Sequence, residues 1–472
     1  MRRCAHALMT RRATRVGAAV LCGFALLPAS AAGFSSARGA TLERVSVSAS
    51  GAFADRTSSE PAISQDGRFV AFSSAASNLV PGDAPGSTDV FVRDRRMRTT
   101  TRVSVPRSGG AAVCPAATPV EQVCASQPAI SADGRYVAFA SLSDDLVLGD
   151  TNGIGDVFVY DLSTGISGRV SISSTGSEGN GHSGGRALRD VAISANGRFV
   201  AFGSSASNLV PADSNGFPDV FVHDRVTRQT ARVSVSTRRA QAIPQEIGGV
   251  AISGSGRLVA FTSSAPNLVA HDANDKVDVF VRDTRGKTTT RVSVDRRNTA
   301  ANGDSYDGVS ISLDGRFVAF SSMAGDLVRA DRNRSRDIFV RDRRRRLTTR
   351  VSVSSRGREV RCVDRREDSR TVYCSQRPSI APDGRRVAFT SVAPGLVRGD
   401  RNDGPDYFVR DLKTGRTLRV NVSASVPEQS ATAWMLQFPA MADRFVAFSA
   451  GSDLLSSQPP WRDDIFVRAL AR

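Results

Sequence analysis

The feature that most constrains this chain is a block that recurs seven times. Asp66-Gly67-Arg68-Phe69-Val70-Ala71-Phe72 returns as Asp133-Gly134-Arg135-Tyr136-Val137-Ala138-Phe139 and again around Gly197, Gly256, Gly315 and Gly384. Ala442-Asp443-Arg444-Phe445-Val446-Ala447-Phe448 is a worn seventh copy. The glycines step by 67, 63, 59, 59 and 69 residues, and Arg385 to Arg444 adds 59, so the copies fill the chain and leave no room for a second domain. One architecture must therefore accommodate seven similar units.

Two more blocks keep the same rhythm. Asp89-Val90-Phe91-Val92 has copies starting at Asp156, Asp219, Asp278, Asp337, Asp406 and Asp464, and Arg-Val-Ser-Val or a near variant starts at Arg44, Arg102, Arg169, Arg232, Arg291, Arg350 and Arg419. Short runs rich in Val, Phe and Thr, bounded by Gly, Asp, Asn and Ser, read as strands joined by turns. Nothing sustains a helical period. Each repeat supplies four strands: Pro61-Ala62-Ile63-Ser64 ahead of the Asp-Gly turn, the Val-Ala-Phe strand, the Val-Phe-Val strand and the Arg-Val-Ser-Val strand. The middle two are apolar on both pleat faces, as buried strands are, whereas the last alternates Val103 and Val105 with Arg102 and Ser104, which makes it the outer edge. Four-stranded sheets repeated radially are a propeller, so the expected fold is all-β, a seven-bladed β-propeller of four-stranded blades. An outer-type strand, Arg44-Val45-Ser46-Val47, precedes the first inner strand, and none follows Asp464-Ile465-Phe466-Val467-Arg468. The N-terminal strand is thus expected to close the ring by completing the seventh blade, removing an exposed edge.

At these residues the chain resembles the TolB-like family of propeller repeats, whose blades carry a Ser-x-Asp-Gly-x-x-hydrophobic-Ala-Phe core. The resemblance implies the propeller and little more, because such repeats serve binding proteins, peptidase gates and some enzymes alike. It covers the propeller alone: neither the amino-terminal α/β domain of TolB nor the peptidase domain of propeller-gated oligopeptidases has a counterpart.

Ahead of the repeats, residues 1–15 are basic, Gly17 to Leu27 is apolar, and Pro28-Ala29-Ser30-Ala31-Ala32 offers small residues for cleavage. Residues 1–32 read as a secretory signal peptide, 33–40 as a short linker and 41–472 as the propeller. The expected product is exported, extracellular or periplasmic, monomeric and without a transmembrane segment. Of the formal charge of +17, the signal arginines Arg2, Arg3, Arg11, Arg12 and Arg15 account for five, leaving +12.

Several residue sets invite chemistry. The Arg of each Asp-Gly-Arg turn neighbours the Asp that closes the third strand (Asp94, Asp161, Asp224, Asp283, Asp342, Asp411), so a repeated salt bridge is expected, absent in the last blade where Ala469 stands. The second and third strands are joined by Asp-x-Asn-x-x-x-Asp: Asp150, Asn152, Asp156; Asp213, Asn215, Asp219; Asp272, Asn274, Asp278; Asp331, Asn333, Asp337; Asp400, Asn402, Asp406. Clustered oxygens of this kind resemble part of a calcium loop, best in the second, third, fourth and sixth blades, though Asx turns explain them without metal. Calcium is the one cofactor the sequence suggests. Cys114, Cys124, Cys362 and Cys374 sit in two equivalent connectors, one pair in each of the two longest repeats, and two local disulfides, Cys114 to Cys124 and Cys362 to Cys374, follow for an exported chain.

Catalysis has no obvious seat. After processing only His182, His223 and His271 remain, in different repeats, with no Gly-x-Ser-x-Gly elbow and no phosphate-cradling loop. The expected function is therefore a secreted, non-catalytic binding or scaffold module at the cell envelope, its alternative a propeller-fold lyase or hydrolase acting on polysaccharide through paired acids. Few aromatics interleave with the basic stretches and the chain is exported, which argues against nucleic acid as partner. An envelope protein or an acidic polymer is expected instead, on a face where Arg95, Arg96, Arg98, Arg225, Arg228 and Arg343 to Arg346 gather.

Overall fold

The computed structural model describes residues 41–83, 85, 87–110, 124–184, 190–244, 246–306, 308–329, 331–362, 374–400, 404–422, 437–451, 454–455 and 462–471. They form seven four-stranded antiparallel sheets, with no helix long and apolar enough to cross a membrane. In blade 1 the strands are Ser58–Ile63, Phe69–Ser74, Asp89–Asp94 and Thr99–Arg102, and five more blades repeat this order. Blade 7 is built from Ala440–Met441, Phe445–Gly451 and Asp463–Ala469, and its fourth strand is Leu42–Arg44 from the other end of the propeller. Leu42 pairs with Arg468 and Arg44 with Phe466, so the ring closes by the expected exchange.

The outer strands end earlier than the sequence suggests. Pairing runs from Thr99 to Arg102, and the Val-Ser-Val that follows is the exit. The cause is Ser104: after Val103 N–H donates to Val90 O at 2.8 Å, the Ser104 hydroxyl takes the Val90 N–H at 2.9 Å and donates to Asp89 at 2.6 Å. A side-chain oxygen replaces the backbone carbonyl, and the chain turns away from the sheet. The same substitution is made by Ser46, Ser171, Ser234, Ser293 and Ser352, and by Asn421 in blade 6.

Each blade core rests on a phenylalanine pair. Phe72 lies directly opposite Phe91, both fully buried, with ring centroids 5.9 Å apart; the copies through to Phe448 and Phe466 keep 5.7 to 6.1 Å. Blades are joined near the axis by backbone bonds between successive turns, from Gln65 N–H to Ala132 O and onward through Ala195, Gly254 and Leu313 to Pro382 O. Pro382 has no N–H to pass on, and blade 7 has no Asp-Gly turn. There Arg386, standing where other blades carry Phe, Tyr or Leu, bridges the seam by donating to Asp443 O at 3.0 Å and Ala471 O at 2.6 Å.

Candidate functional site

The arginines of the repeat divide into sets, each with a fixed partner. Arg68, Arg135, Arg198, Arg257, Arg316 and Arg385 each clamp the aspartate that ends the third strand of their own blade, at 2.6 to 2.8 Å. Arg198 in this way holds the Asp224 carboxyl well below the usual carboxylate range, as Arg135 does Asp161. A second set sits one residue earlier than the third-strand aspartate position and, in blades 1, 4, 6 and 7, ties the blade to the connector of the blade before it, while blades 2 and 3 carry Tyr160 and His223 there. Arg93 donates to Ser48 O at 3.1 Å, Arg282 to Ser236 O at 3.1 Å and Arg410 to Ser354 O at 2.8 Å.

The third set bears on the candidate calcium loops. Asp150 and Asp156 do converge, and Arg169 reaches into them, 2.8 Å from Asp150 and 3.2 Å from Asp156, with Glu178 at 2.6 Å. Asn152 directs its amide N–H to Asp156 at 2.9 Å and caps the turn with its oxygen. Arg232 lies likewise between Asp213 and Asp219, Arg291 between Asp272 and Asp278, Arg350 between Asp331 and Asp337, and Arg419 between Asp400 and Asp406. Asn215 and Asn274 repeat the role of Asn152, while Asn402 lies outside the described residues. The second carboxylate of each loop is almost fully buried, and burial pushes Asp278 up to about 6 against the pull of Ser293 and Arg291. Among the described residues no group of three or more His, Cys, Asp or Glu is placed to hold a metal ion. The cation these oxygens face is a guanidinium from their own blade, the Arg of Arg-Val-Ser-Val.

Cys362 and Cys374 form a disulfide across 5.6 Å between Cα atoms. Cys124 is disulfide-bonded too, and its expected partner Cys114 lies outside the described residues.

One constellation escaped the sequence reading. Three residues before the last Ile or Met of each inner strand stand Glu60, Gln127, Asp190, Gly249, Gly308, Arg377 and Phe438, a position whose chemistry changes from blade to blade. Glu60, Gln127, Gly249 and Arg377 occupy a bulge with positive φ, from 53° to 58°, between Ser59 and Ala62 and its equivalents. Side chain links to next blade in sequence: Glu60 accepts the Gln127 N–H at 2.7 Å, Gln127 the Asp190 N–H at 2.8 Å and Asp190 the Gly249 N–H at 3.1 Å. Asp190 is 7% exposed, and burial pushes its carboxyl up to about 7 despite the Gly249 N–H. Phe438 of blade 7 extends toward blade 5, where a Cβ on Gly308 would come within 2.4 Å of its ring, and Arg377 lies over that ring at 5.4 Å. The signal was available as a position of constant offset and changing chemistry.

On the opposite side of the strands' ends, the expected basic face splits in two. Arg95, Arg225 and Arg343 turn into the seams, donating to Gly67 O, Gly197 O and Gly315 O at 2.6 to 2.8 Å; Arg225 also lies over the Tyr136 ring. Arg96, Arg98, Arg228 and Arg344 to Arg346 are exposed.

No family model matches the sequence, and no curated protein matches it. Among solved structures, an oligogalacturonate lyase in complex with manganese aligns at 14% identity over 92% of this chain and 94% of that one, with a TM-score of 0.54. The likeness is one of fold. An oligogalacturonate lyase from Vibrio parahaemolyticus aligns at 13% identity over 92% of this chain and 97% of its own, TM-score 0.50. TolB from Acinetobacter baumannii aligns at 14% identity over 79% of this chain and 65% of its own, TM-score 0.39.

Proposed function

We propose that this chain is an exported, non-catalytic propeller that binds or organises a partner at the cell envelope. The observation that carries this reading is the axial ring. Glu60 and Asp190, the acids of this inner-strand position, each accept a backbone N–H of the following blade, and Phe438 extends across to the space left by Gly308. Carboxylates committed to holding blades together are poorly placed to trade protons with a substrate. The aspartates of the acidic loops and of the third-strand ends are held by arginines of their own blades, which leaves the exposed faces as recognition surfaces. The Cys362 to Cys374 bridge fits an oxidising compartment, and a Cys114 to Cys124 bridge belongs to the same reading. Calcium at the acidic loops would have to displace an arginine from the oxygens it needs.

The test pairs export with turnover. Expressed whole in a secreting bacterial host, the chain is expected to lose residues 1–32 and to accumulate outside the cytoplasm. The mature protein, incubated with polygalacturonate and with neutral polysaccharides, is expected to release no unsaturated or reducing ends. Product release proportional to enzyme would replace this reading with the polysaccharide lyase or hydrolase.

A further inference from the structure

Four seams between blades carry a threonine bond that the seam between blades 4 and 5 lacks although it has the threonine, Thr348. In blades 1, 3, 4 and 6 a threonine on the outer strand reaches the exit segment of the blade before: Thr100 donates to Val47 O, Thr230 to Ile172 O, Thr289 to Val235 O and Thr417 to Val353 O, at 2.5 to 2.7 Å, whereas blades 2 and 7 carry Ser167 and Leu42 at this position. Thr230, Thr289 and Thr417 also receive the hydroxyl oxygens of Ser174, Thr237 and Ser355 on their backbone N–H, at 2.9 to 3.0 Å. Between blades 4 and 5 the residue equivalent to those hydroxyls is Arg296, and the preceding serine has become Asp295. Among the described residues Thr348 makes neither bond to blade 4; it accepts from Arg341, which turns aside to Asn298 at 3.2 Å where its counterparts grip the connector carbonyl.

The unzipped seam opens as a cavity of about 430 Å³ whose polar lining includes Thr290, Arg291, Asn298, Arg341, Arg343 and Arg346, with no acidic side chain among the described residues that line it. Arg291 is engaged by Asp272 and Asp278, and Arg343 by Gly315 O, but Arg346 is exposed and Arg341 donates only to neutral oxygens. A second hollow of about 360 Å³, lined by Asp314, Gly315, Arg316, Arg343 and Arg344, adjoins it through Arg343. The nearby acids are already committed: Asp342 to Arg316, Asp314 to the Ser312 hydroxyl and the Arg316 N–H, and Asp295 to the N–H groups of Arg297 and Thr299. Guanidinium forks beside hydroxyl and amide groups, with Arg341 and Arg346 paired to no carboxylate among the described residues, suit a tetrahedral oxyanion.

We infer that the seam between blades 4 and 5 is an anion site for a phosphate or sulfate group, free or carried on a polymer. This deepens the binding reading by naming a place and a chemistry, yet it is independent of export and of the envelope, since a small anion suffices to test it.

The experiment is calorimetric titration of the mature chain at low ionic strength with inorganic pyrophosphate, inorganic sulfate and a polyphosphate chain in separate arms. One saturable site is expected for pyrophosphate, with sulfate weaker; tighter binding of polyphosphate than of pyrophosphate would assign a polymer, and equal binding a free ion. Arg346 has φ +54°, and blades 2 and 6 carry Gly165 and Gly415 at this turn position, so R346G removes the charge without backbone strain. R346G is expected to weaken pyrophosphate roughly tenfold, as for loss of one charge-assisted contact. R98G, the same change on blade 1, is expected to leave affinity unchanged. No saturable binding, or equal loss in R346G and R98G, would overturn the site and leave the envelope reading standing.

Discussion

Phe445 of the last blade occupies the space that any side chain on Gly67 of the first would need: a Cβ there would lie 2.2 Å from the Phe445 ring, at a φ of +76°. The same contact runs around the ring, Gly134 on Phe69, Gly197 on Tyr136, Gly256 on Phe199, Gly315 on Leu258 and Gly384 on Phe317, each turn glycine flat against the blade before it. It explains why the turn requires glycine twice over, for its left-handed backbone and for the absent Cβ. Where blade 7 has no such glycine, blade 6 has no such aromatic ring but Arg386, and the pair changes together.

Gly67→Ala should therefore destabilise the propeller by about 2–4 kcal/mol, adding overpacking to the backbone cost of a left-handed alanine. Gly51, at φ +87° with nothing within 4 Å, is the control. G51A carries the backbone cost alone, about 1 kcal/mol. Urea denaturation of the two variants separates the terms, and equal losses would show that the Phe445 contact is unimportant.

Removing the chain through Ser48 should lower stability by several kcal/mol or cause aggregation. The deletion strips the outer strand from blade 7, and with it Arg44, 3.5 Å from the buried Asp464, and Ser46, which donates to Asp464 at 2.7 Å. It also leaves Arg93 without Ser48 O. A melting temperature equal to that of the mature chain would contradict this.

Arg169→Met should cost about 3–5 kcal/mol, the range for stranding a buried charge, because Asp150 and Asp156 lose their cation. In the unaltered protein millimolar calcium and chelator are expected to leave the melting temperature alone, since arginine already holds those oxygens. A calcium-dependent rise would show that metal displaces the guanidinium. A rise confined to R169M would show that the oxygens suit a metal once it has gone.

Asp190 makes stability depend on pH in a defined direction. Its folded value, about 7, lies above the ordinary 3.8, so the folded chain binds more protons between them. Its neutral form is favourable below about pH 4, and the advantage is lost as pH rises to 7. At about 1.4 kcal/mol per pH unit the ionised carboxyl costs up to about 4 kcal/mol, an upper bound. Asp190→Asn keeps an oxygen for the Gly249 N–H and should raise stability at pH 8 but hardly at pH 4. An equal effect at both pH values would show that the carboxyl ionises freely.

Chain order alone carried the fold. Seven copies of a turn-and-strand block, with an unmatched outer strand at one end, define both the blade count and the closure, because a strand with an apolar pleat must be covered and an edge must be paired. The clamp between Arg68 and Asp94 was legible for a similar reason: neighbours in an antiparallel pair follow from turn length. The acidic loops were legible only in part. Asp150 and Asp156 show as clustered oxygens, but their cation comes from Arg169, the far end of the blade, and only folding brings it there. The axial ring and the open seam were beyond reach for the same reason. Glu60 and Gln127 stand 67 residues apart, and Arg341 meets Asn298 across a seam, so their contacts depend on how one blade is set against the next. Within a blade, hydrogen-bond register transmits the pattern of the sequence directly; between blades, the gap left by each side chain decides the contact, and that is a property of the packed ring.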